Sequence, residues 1–176
     1  MTEYRRAAVE GGTYFFTVNC AERHNNTLLT DNVELLKEVI RKVKNAHPFE
    51  IDAMVVLPEH LHCIWTLPVG DSNVGVRWSL IKSGFSRAIP RGERRSKSRI
   101  DRGERGLWQR RFWEHVVRDE KEFAHYVDYI HWNPVKHGWV KRVVDWPHSS
   151  FHRYVERGVY PVDWGGHLAF DAELGE

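Results

Sequence analysis

Two histidines, His60 and His62, are separated by one leucine in the β-prone run Val55-Val56-Leu57-Pro58-Glu59-His60-Leu61-His62-Cys63-Ile64-Trp65. Successive side chains of a strand point to opposite faces, so both imidazoles project from the same face of the predicted strand. Such a pair can hold a metal ion, although a structural role is the alternative for a histidine pair taken alone. Because two imidazoles make a weak metal site, we expect a third ligand on the element that faces this strand.

A later helical segment offers that ligand. Tyr129 and Asn133 are four residues apart, so they share one helix face and could place a phenol and an amide oxygen over the two histidines. His115 is a rival third ligand, because its predicted strand could neighbour the histidine strand. Tyr126 is a rival for Tyr129, since it lies three residues earlier on nearly the same face, and Asn133 could simply end the helix.

A tyrosine beside a metal site indicates phosphoryl transfer. Attack by the tyrosine oxygen on a phosphodiester would give a covalent protein–nucleic acid intermediate that conserves the bond energy for rejoining. A divalent ion held by His60 and His62 would polarise and position the scissile phosphate. The free phenol has a pKa near ~10, so its proton must pass to a base, a water or solvent during attack. The sequence does not identify that base.

The elements that must position these residues follow from hydrophobic patterning. Aromatic and β-branched segments predict strands at 13–19, 49–57, 60–67 and 107–117. Apolar residues three and four apart predict helices at 32–45, 76–89 and 120–133. Pro134 is expected to end the last helix.

This order of elements, β-α-β-β-α-β-α, predicts an α+β fold. It corresponds to the ferredoxin-like split βαβ arrangement with a central antiparallel sheet, followed by a C-terminal catalytic helix and an irregular tail over 141–176. In that topology the first and third strands are central, so the histidine strand is expected in the middle of the sheet.

Length and composition predict one globular domain over residues 1–176. The 176 residues include 41% hydrophobic and 28% charged side chains. No apolar run approaches the ~20 residues that span a bilayer, and the first residues lack the apolar stretch of a signal peptide, so we expect a cytoplasmic protein. Two cysteines, Cys20 and Cys63, without close spacing indicate neither a disulfide framework nor a structural zinc site.

The stretch from Lys82 to Arg111 is strongly basic. It carries eleven Lys or Arg residues against three acids, a net charge of about +8, which indicates a polyanion such as a phosphate backbone. We expect phosphate contacts from Lys82, Arg87, Arg110 and Arg111, and a flexible basic loop over 90–106. A solvated loop without a partner is the alternative. Near the N-terminus, Tyr4, Arg5 and Arg6 could contact bases by stacking and hydrogen bonds.

Several motifs together resemble a known family. Pro58-Glu59-His60-Leu61-His62 resembles the histidine-hydrophobe-histidine (HUH) motif of single-tyrosine transposases, and residues 129–138 (Tyr-Ile-His-Trp-Asn-Pro-Val-Lys-His-Gly) resemble their nucleophile helix. Segments 4–6, 11–19, 108–115 and 145–149 are similar to one branch, the REP-associated tyrosine transposases. The resemblance runs from about residue 3 to residue 165 but matches no motif in the basic segment 90–106.

The resemblance implies a bacterial enzyme that binds repetitive extragenic palindromes as single-stranded DNA hairpins, cleaves beside them and can rejoin the ends. It implies that Tyr129 becomes linked to a 5′-phosphate. It also implies that His60, His62 and Asn133 bind Mg²⁺ or Mn²⁺, although larger relatives often have Gln in place of Asn. A monomer with its site within one chain is expected, without a membrane or a small-molecule cofactor. The alternatives are a non-catalytic protein that binds structured nucleic acid and a hydrolytic metal-dependent nuclease.

Overall fold

The computed structural model describes residues 8–165, so the base-contacting candidates Tyr4, Arg5 and Arg6 lie outside the described residues. The strands are β1 (Thr13–Asn19), β2 (Glu50–Val56), β3 (His60–Thr66) and β4 (Trp113–Val116). The helices are α1 (Leu28–Asp31), α2 (Val33–Ala46), α3 (Val74–Ala88), α4 (Lys97–Asp101), α5 (Glu120–Lys136) and α6 (Phe151–Glu156), with a 3-10 turn at Val143–Asp145. No helix in this part of the chain is long and apolar enough to span a membrane.

The four strands form one antiparallel sheet in the order β2-β3-β1-β4. The predicted α+β fold is confirmed, and β1 and β3 are its central strands as expected. The register pairs Asn19 with His60 and Thr17 with His62. Directly paired residues of antiparallel strands share a face, so these two polar side chains of β1 stand beside the two histidines.

Strict alternation along β1 divides the interior into two cores. Tyr14, Phe16 and Val18 point to one face, where they pack with the apolar stripes of α2 and α3. Phe15 points to the other face, where it joins a smaller cluster built around α5. The histidines of β3 lie on the α5 side, because their partners Thr17 and Asn19 share the parity of Phe15.

Helix α5 continues past the proline that was expected to end it. The Asp119 side chain caps the first turn by accepting a hydrogen bond from the Glu122 backbone N–H at 2.8 Å. Pro134 lies inside the helix, but the His137 N–H still donates to the Asn133 carbonyl at 3.0 Å, and Gly138 at φ +72° ends the final turn. Lys136 therefore remains helical.

The segment 90–106 is not the flexible loop that its charge predicts. It contains α4, and the Arg105 guanidinium binds the Glu93 carboxylate together with the backbone carbonyls of Ser86, Ile89 and Pro90. These carbonyls lie at and after the end of α3, so one arginine ties the segment to that helix. Composition alone could not indicate this, because the acceptors are backbone atoms distant in sequence.

The last predicted strand and the tail also differ from the observed structure. The strand predicted over 107–117 is shorter, and only Trp113–Val116 pairs along β1, with an isolated bridge between Cys20 and Trp108 before it. The tail predicted to be irregular includes the 3-10 turn and α6. Its anchors to the sheet include the hydrogen bond from the Met54 N–H to the Ser150 hydroxyl at 2.9 Å.

A candidate active site between strand β3 and helix α5

The two histidines of β3 lie side by side in the interior. His60 and His62 are 1% and 0% exposed, and their ring centroids are 5.0 Å apart at an interplanar angle of 83°. The period of two along the strand produces this pairing, as the sequence predicts. The imidazoles are therefore fixed in position and protected from bulk water.

Each ring is held through its Nδ1 atom. His62 Nδ1 lies 2.9 Å from the Thr17 hydroxyl, and His60 Nδ1 lies 2.9 Å from a carboxylate oxygen of Glu59. An ionised carboxylate only accepts hydrogen bonds, so the His60 Nδ1–H donates and its Nε2 keeps a lone pair. Within residues 8–165 neither buried Nε2 atom has a hydrogen-bond partner. Metal-binding histidines show the same arrangement, with one nitrogen oriented by a polar group and the other left for the ion.

Burial and charge keep the site ready to bind a cation. Burial, and then the nearby His60, His137 and Lys136, hold the pKa of His62 well below its usual value, so this ring is neutral at neutral pH. Burial alone would raise the pKa of the Glu59 carboxyl, but effects led by the hydrogen bond from His60 outweigh it and lower that pKa. A neutral imidazole and an ionised carboxylate are the forms that a metal site requires.

Helix α5 meets the two histidines at two points. The Tyr129 ring lies 5.3 Å from the His62 ring, and the His137 ring lies 5.2 Å from the His60 ring, both measured between centroids. Asn133 stands midway between these contacts, one helical turn from each. Its side chain is 0% exposed, and neither atom of its carboxamide has a hydrogen-bond partner in the described part of the chain. An amide without partners is costly to bury, so this side chain is suited to bind a group that enters the site.

These residues fit a divalent metal ion. The described residues contain no group of three or more His, Cys, Asp or Glu side chains that could hold a metal, which leaves the Asn133 carboxamide as the candidate third ligand. The Asn133 amide oxygen would complete a set with the two Nε2 atoms, and the ion would supply positive charge to a phosphate. Because imidazole nitrogen suits transition metals better than Mg²⁺, this set favours Mn²⁺ over Mg²⁺.

The rival residues lie elsewhere on the same face. Tyr126 stacks on Phe15, with 4.3 Å between ring centroids. The expectation that the His115 strand could neighbour the histidine strand is wrong, because β1 lies between β3 and β4. His115 Nε2 is instead 2.8 Å from a Glu122 carboxylate oxygen. The structure thus brings Tyr129, and not Tyr126, to His62.

Sequence reasoning missed three polar residues at this site. Thr17 and Glu59 orient the histidines, and the Lys136 ammonium lies 3.3 Å from the Tyr129 hydroxyl oxygen. The register of β1 against β3 is needed to find Thr17. Lys136 has a signal in the sequence, since a residue seven positions after Tyr129 returns to the same helix face, but the expected end of the helix at Pro134 concealed it.

The predicted phosphate-contacting residues lie mainly on the other side of the sheet. A cleft of about 390 Å³ between α3 and the segment 99–112 is lined by Lys82, Arg87 and Arg110. Lys82 donates to the Gln109 carbonyl at 2.9 Å, whereas Arg110 pairs with Glu104 at 2.8 Å. Arg111, the residue after Arg110, is exposed. The cleft combines these cations with the aromatic rings of Trp78, Trp108 and Phe112.

Comparison with known proteins gives consistent matches. A family model described as "Transposase IS200 like" matches residues 10–133. A REP-associated tyrosine transposase of Escherichia coli (strain K12) is 52% identical over 176 residues, covering 100% of this chain and 98% of that protein. A relative from Haemophilus influenzae (strain ATCC 51907 / DSM 11121 / KW20 / Rd) is 44% identical over 94% of each chain. The solved structure of a REP-associated tyrosine transposase bound to a REP hairpin is 50% identical with a TM-score of 0.84, covering 100% of this chain and 98% of that one.

Proposed function

The chain belongs to the IS200-like transposase family, and from that premise we propose that it is a metal-dependent single-strand DNA transesterase that binds palindromic REP-type hairpins and cleaves beside them. Cleavage would proceed through a 5′-phosphotyrosine at Tyr129, which allows the strands to be rejoined. A DNA substrate agrees with the cytoplasmic location expected from the sequence.

One observation carries the proposal. The Nε2 atoms of His60 and His62 and the carboxamide of Asn133 are buried polar groups without partners among the described residues, and the His62 ring meets the Tyr129 ring. Three orphaned ligand atoms beside a phenol suit phosphoryl transfer better than simple binding of nucleic acid. A protein that only bound hairpins would gain nothing from leaving these groups unsatisfied.

The chemistry assigned to the protein residues is a displacement at phosphorus. The Tyr129 oxygen attacks the scissile phosphate, a bond from this oxygen to phosphorus forms, and the bond from phosphorus to the 3′ oxygen breaks. His60, His62 and Asn133 would hold the divalent ion, which when bound supplies positive charge to the phosphate oxygens. Thr17 and Glu59 keep the two imidazoles oriented. Rejoining is the reverse reaction, with the 3′ hydroxyl attacking the phosphotyrosine.

We assign hairpin binding to the basic cleft formed by α3 and the segment 99–112. The cations Lys82, Arg87 and Arg110 line it and Arg111 lies beside it, and the half-buried ring of Phe112 offers a surface for stacking. Edge strand β4 begins immediately after this segment and bears Trp113, which is 37% exposed. A single strand leaving the hairpin would pass over this edge to reach the histidines on the opposite face.

The test is incubation with labelled single-stranded REP hairpin DNA carrying its flanking sequence, in Mn²⁺ or Mg²⁺, followed by a denaturing gel. Wild type should form a covalent adduct that mass mapping places on Tyr129. Tyr129→Phe should bind the hairpin and form no adduct, whereas the matched control Tyr126→Phe should form it. Adduct at the wild-type level in Tyr129→Phe would overturn the assignment.

The same gel separates the competing functions. A hydrolytic nuclease would cut the DNA without retaining label on the protein, and a pure binding protein would leave the DNA intact. Transesterification alone predicts both cleavage and a protein-linked 5′ end.

A further inference from the structure

Lys136 contacts the oxygen that would act as nucleophile. Its Nζ atom lies 3.3 Å from the Tyr129 hydroxyl oxygen and 5.0 Å from the centroid of the Tyr129 ring. An ammonium has only donors, so the Lys136 N–H donates and the phenol oxygen accepts. The phenol oxygen therefore already accepts a hydrogen bond from a positively charged group.

The helix places Lys136 there without any tertiary adjustment. Tyr129, Asn133 and Lys136 occupy positions i, i+4 and i+7 of α5, which form one continuous stripe. Long helical side chains lean toward the N-terminus, so the lysine stem extends back over Asn133 toward the tyrosine. Because Pro134 does not end the helix, this stripe includes the lysine.

We propose that Lys136 is a catalytic residue that stabilises the negative charge on the Tyr129 oxygen during attack and again when the phosphotyrosine is opened. This inference rests on the proposed function, which it extends by one group. In a buried site, a donor that already points at the atom where charge develops needs no reorganisation in the transition state. Removing one such donor typically slows chemistry by about 10²–10³-fold.

Lys136 keeps its proton during both attack and rejoining, because it acts only by stabilising charge. The phenol O–H loses its proton to water as the oxygen–phosphorus bond forms, and the departing 3′ oxygen takes a proton from water. The net reaction converts a phenol and a phosphodiester into a phosphotyrosine and a 3′ hydroxyl, with no oxidant, reductant or nucleotide. In the reverse direction the tyrosine oxygen leaves, and the same ammonium stabilises it.

The position of Lys136 separates this role from general DNA binding. The Tyr129 ring contacts His62 through one edge, and the Lys136 ammonium lies 5.0 Å from its centroid, so a fixed positive charge stands beside the nucleophile. The residues assigned to hairpin binding lie around the cleft of α3, across the sheet. Lys136 should therefore affect the chemical step more than the affinity for the hairpin.

The experiment measures single-turnover adduct formation at saturating enzyme, with hairpin affinity measured separately, for wild type, Lys136→Met, Lys136→Gln and Lys136→Arg. Both neutral variants should lose about 10²-fold or more in rate with hairpin affinity within about twofold of wild type. Lys136→Arg should restore much of the rate, because it restores the charged donor. The control is Lys121→Met, an exposed lysine of the same helix, which should react at the wild-type rate.

Three outcomes would overturn the proposal. Neutral variants that react at the wild-type rate would remove Lys136 from the chemistry. A defect confined to hairpin affinity would make it a DNA-binding residue, and equal defects in all three variants with a lower melting temperature would make it structural. If wild type itself forms no adduct, the proposed function fails as well, so the two failures are distinguishable.

Discussion

The imidazole ring of His62 and the phenol ring of Tyr129 meet edge to face, with 5.3 Å between centroids and an interplanar angle of 70°. This contact joins a central strand of the sheet to a helix that begins 58 residues after His62. The candidate metal ligands and the candidate nucleophile therefore form one site only when α5 is docked on the sheet.

Replacing His62 should separate metal binding from DNA binding. His62→Ala removes one of the two buried nitrogens that we propose as metal ligands, so we expect Mn²⁺ affinity, measured calorimetrically, to fall at least tenfold and adduct formation to be lost with it. Hairpin affinity should change little, because the proposed phosphate contacts come from Lys and Arg residues of the basic cleft. A chelator should act on wild type in the same way. His115→Ala is the control, and loss of Mn²⁺ binding in that variant would mean that the ligand set is wrong.

The buried side chain of Asn133 should lower the stability of the protein and be needed for its activity. Its buried carboxamide has no hydrogen-bond partner among residues 8–165, so Asn133→Leu should stabilise the metal-free protein by about 1 kcal/mol in urea unfolding while reducing adduct formation at least tenfold. Asn133→Asp keeps an oxygen ligand and should retain cleavage. If Asn133→Leu cleaves as wild type does, Asn133 is not the third ligand.

The Glu93–Arg105 pair should make stability depend on acid pH. The hydrogen bond from Arg105 lowers the pKa of Glu93 to about 2 from an ordinary value of 4.5, despite the opposing effect of burial. A depressed pKa contributes stability that is complete above about pH 4.5 and is lost as the pH falls toward 2. The side chains of Glu93 and Arg105 are 11% and 18% exposed, so we expect a contribution of about 1–2 kcal/mol.

The measurement is the difference in melting temperature between wild type and Glu93→Gln across this pH range. The difference should be largest at neutral pH and shrink below about pH 4.5. The exposed pair of Glu34 and Lys37 supplies the control, because Glu34→Gln should shift stability by less than about 0.5 kcal/mol. A difference that does not vary with pH would mean that the ion pair does not anchor the segment.

Arg87 should contribute to affinity through charge. It is exposed at the basic cleft, so Arg87→Ala should weaken hairpin binding and lower the slope of log affinity against log salt concentration by about 1. The rate of the chemical step at saturating enzyme should be unchanged. Arg157→Ala, at an exposed arginine after α6, should leave the slope as in wild type. Equal slopes in all three proteins would place the hairpin elsewhere.

Elements of this fold that depend on local sequence patterns could be predicted, whereas those that depend on contacts between distant residues could not. Strand β1 occupies the predicted residues, and the histidine strand is central, because period-two patterning and the topology depend on local sequence and general rules. The segment 90–106 could not be predicted, because the Arg105 guanidinium binds backbone carbonyls of a distant helix end. No pattern of charges specifies such acceptors.

The site shows the same division. Spacing and resemblance predict His60, His62, Tyr129 and Asn133 as site residues, and the structure brings the Tyr129 ring to His62. Lys136 was missed because a rule about proline was applied at Pro134, where hydrogen bonds from His137 and later residues continue the final turn. Thr17 was missed because its contact with His62 depends on strand register, which the sequence leaves open.

Helix α5 lies on the sheet of its own chain, and this has a genetic consequence. Each folded molecule would carry a whole catalytic centre, so two differently defective copies, such as His62→Ala and Tyr129→Phe, should not restore one another when mixed. For the same reason, a Tyr129→Phe copy expressed beside the normal protein should not inhibit its activity by forming mixed assemblies with it. It would interfere only by occupying hairpins, and raising the dose of the normal copy would overcome that competition.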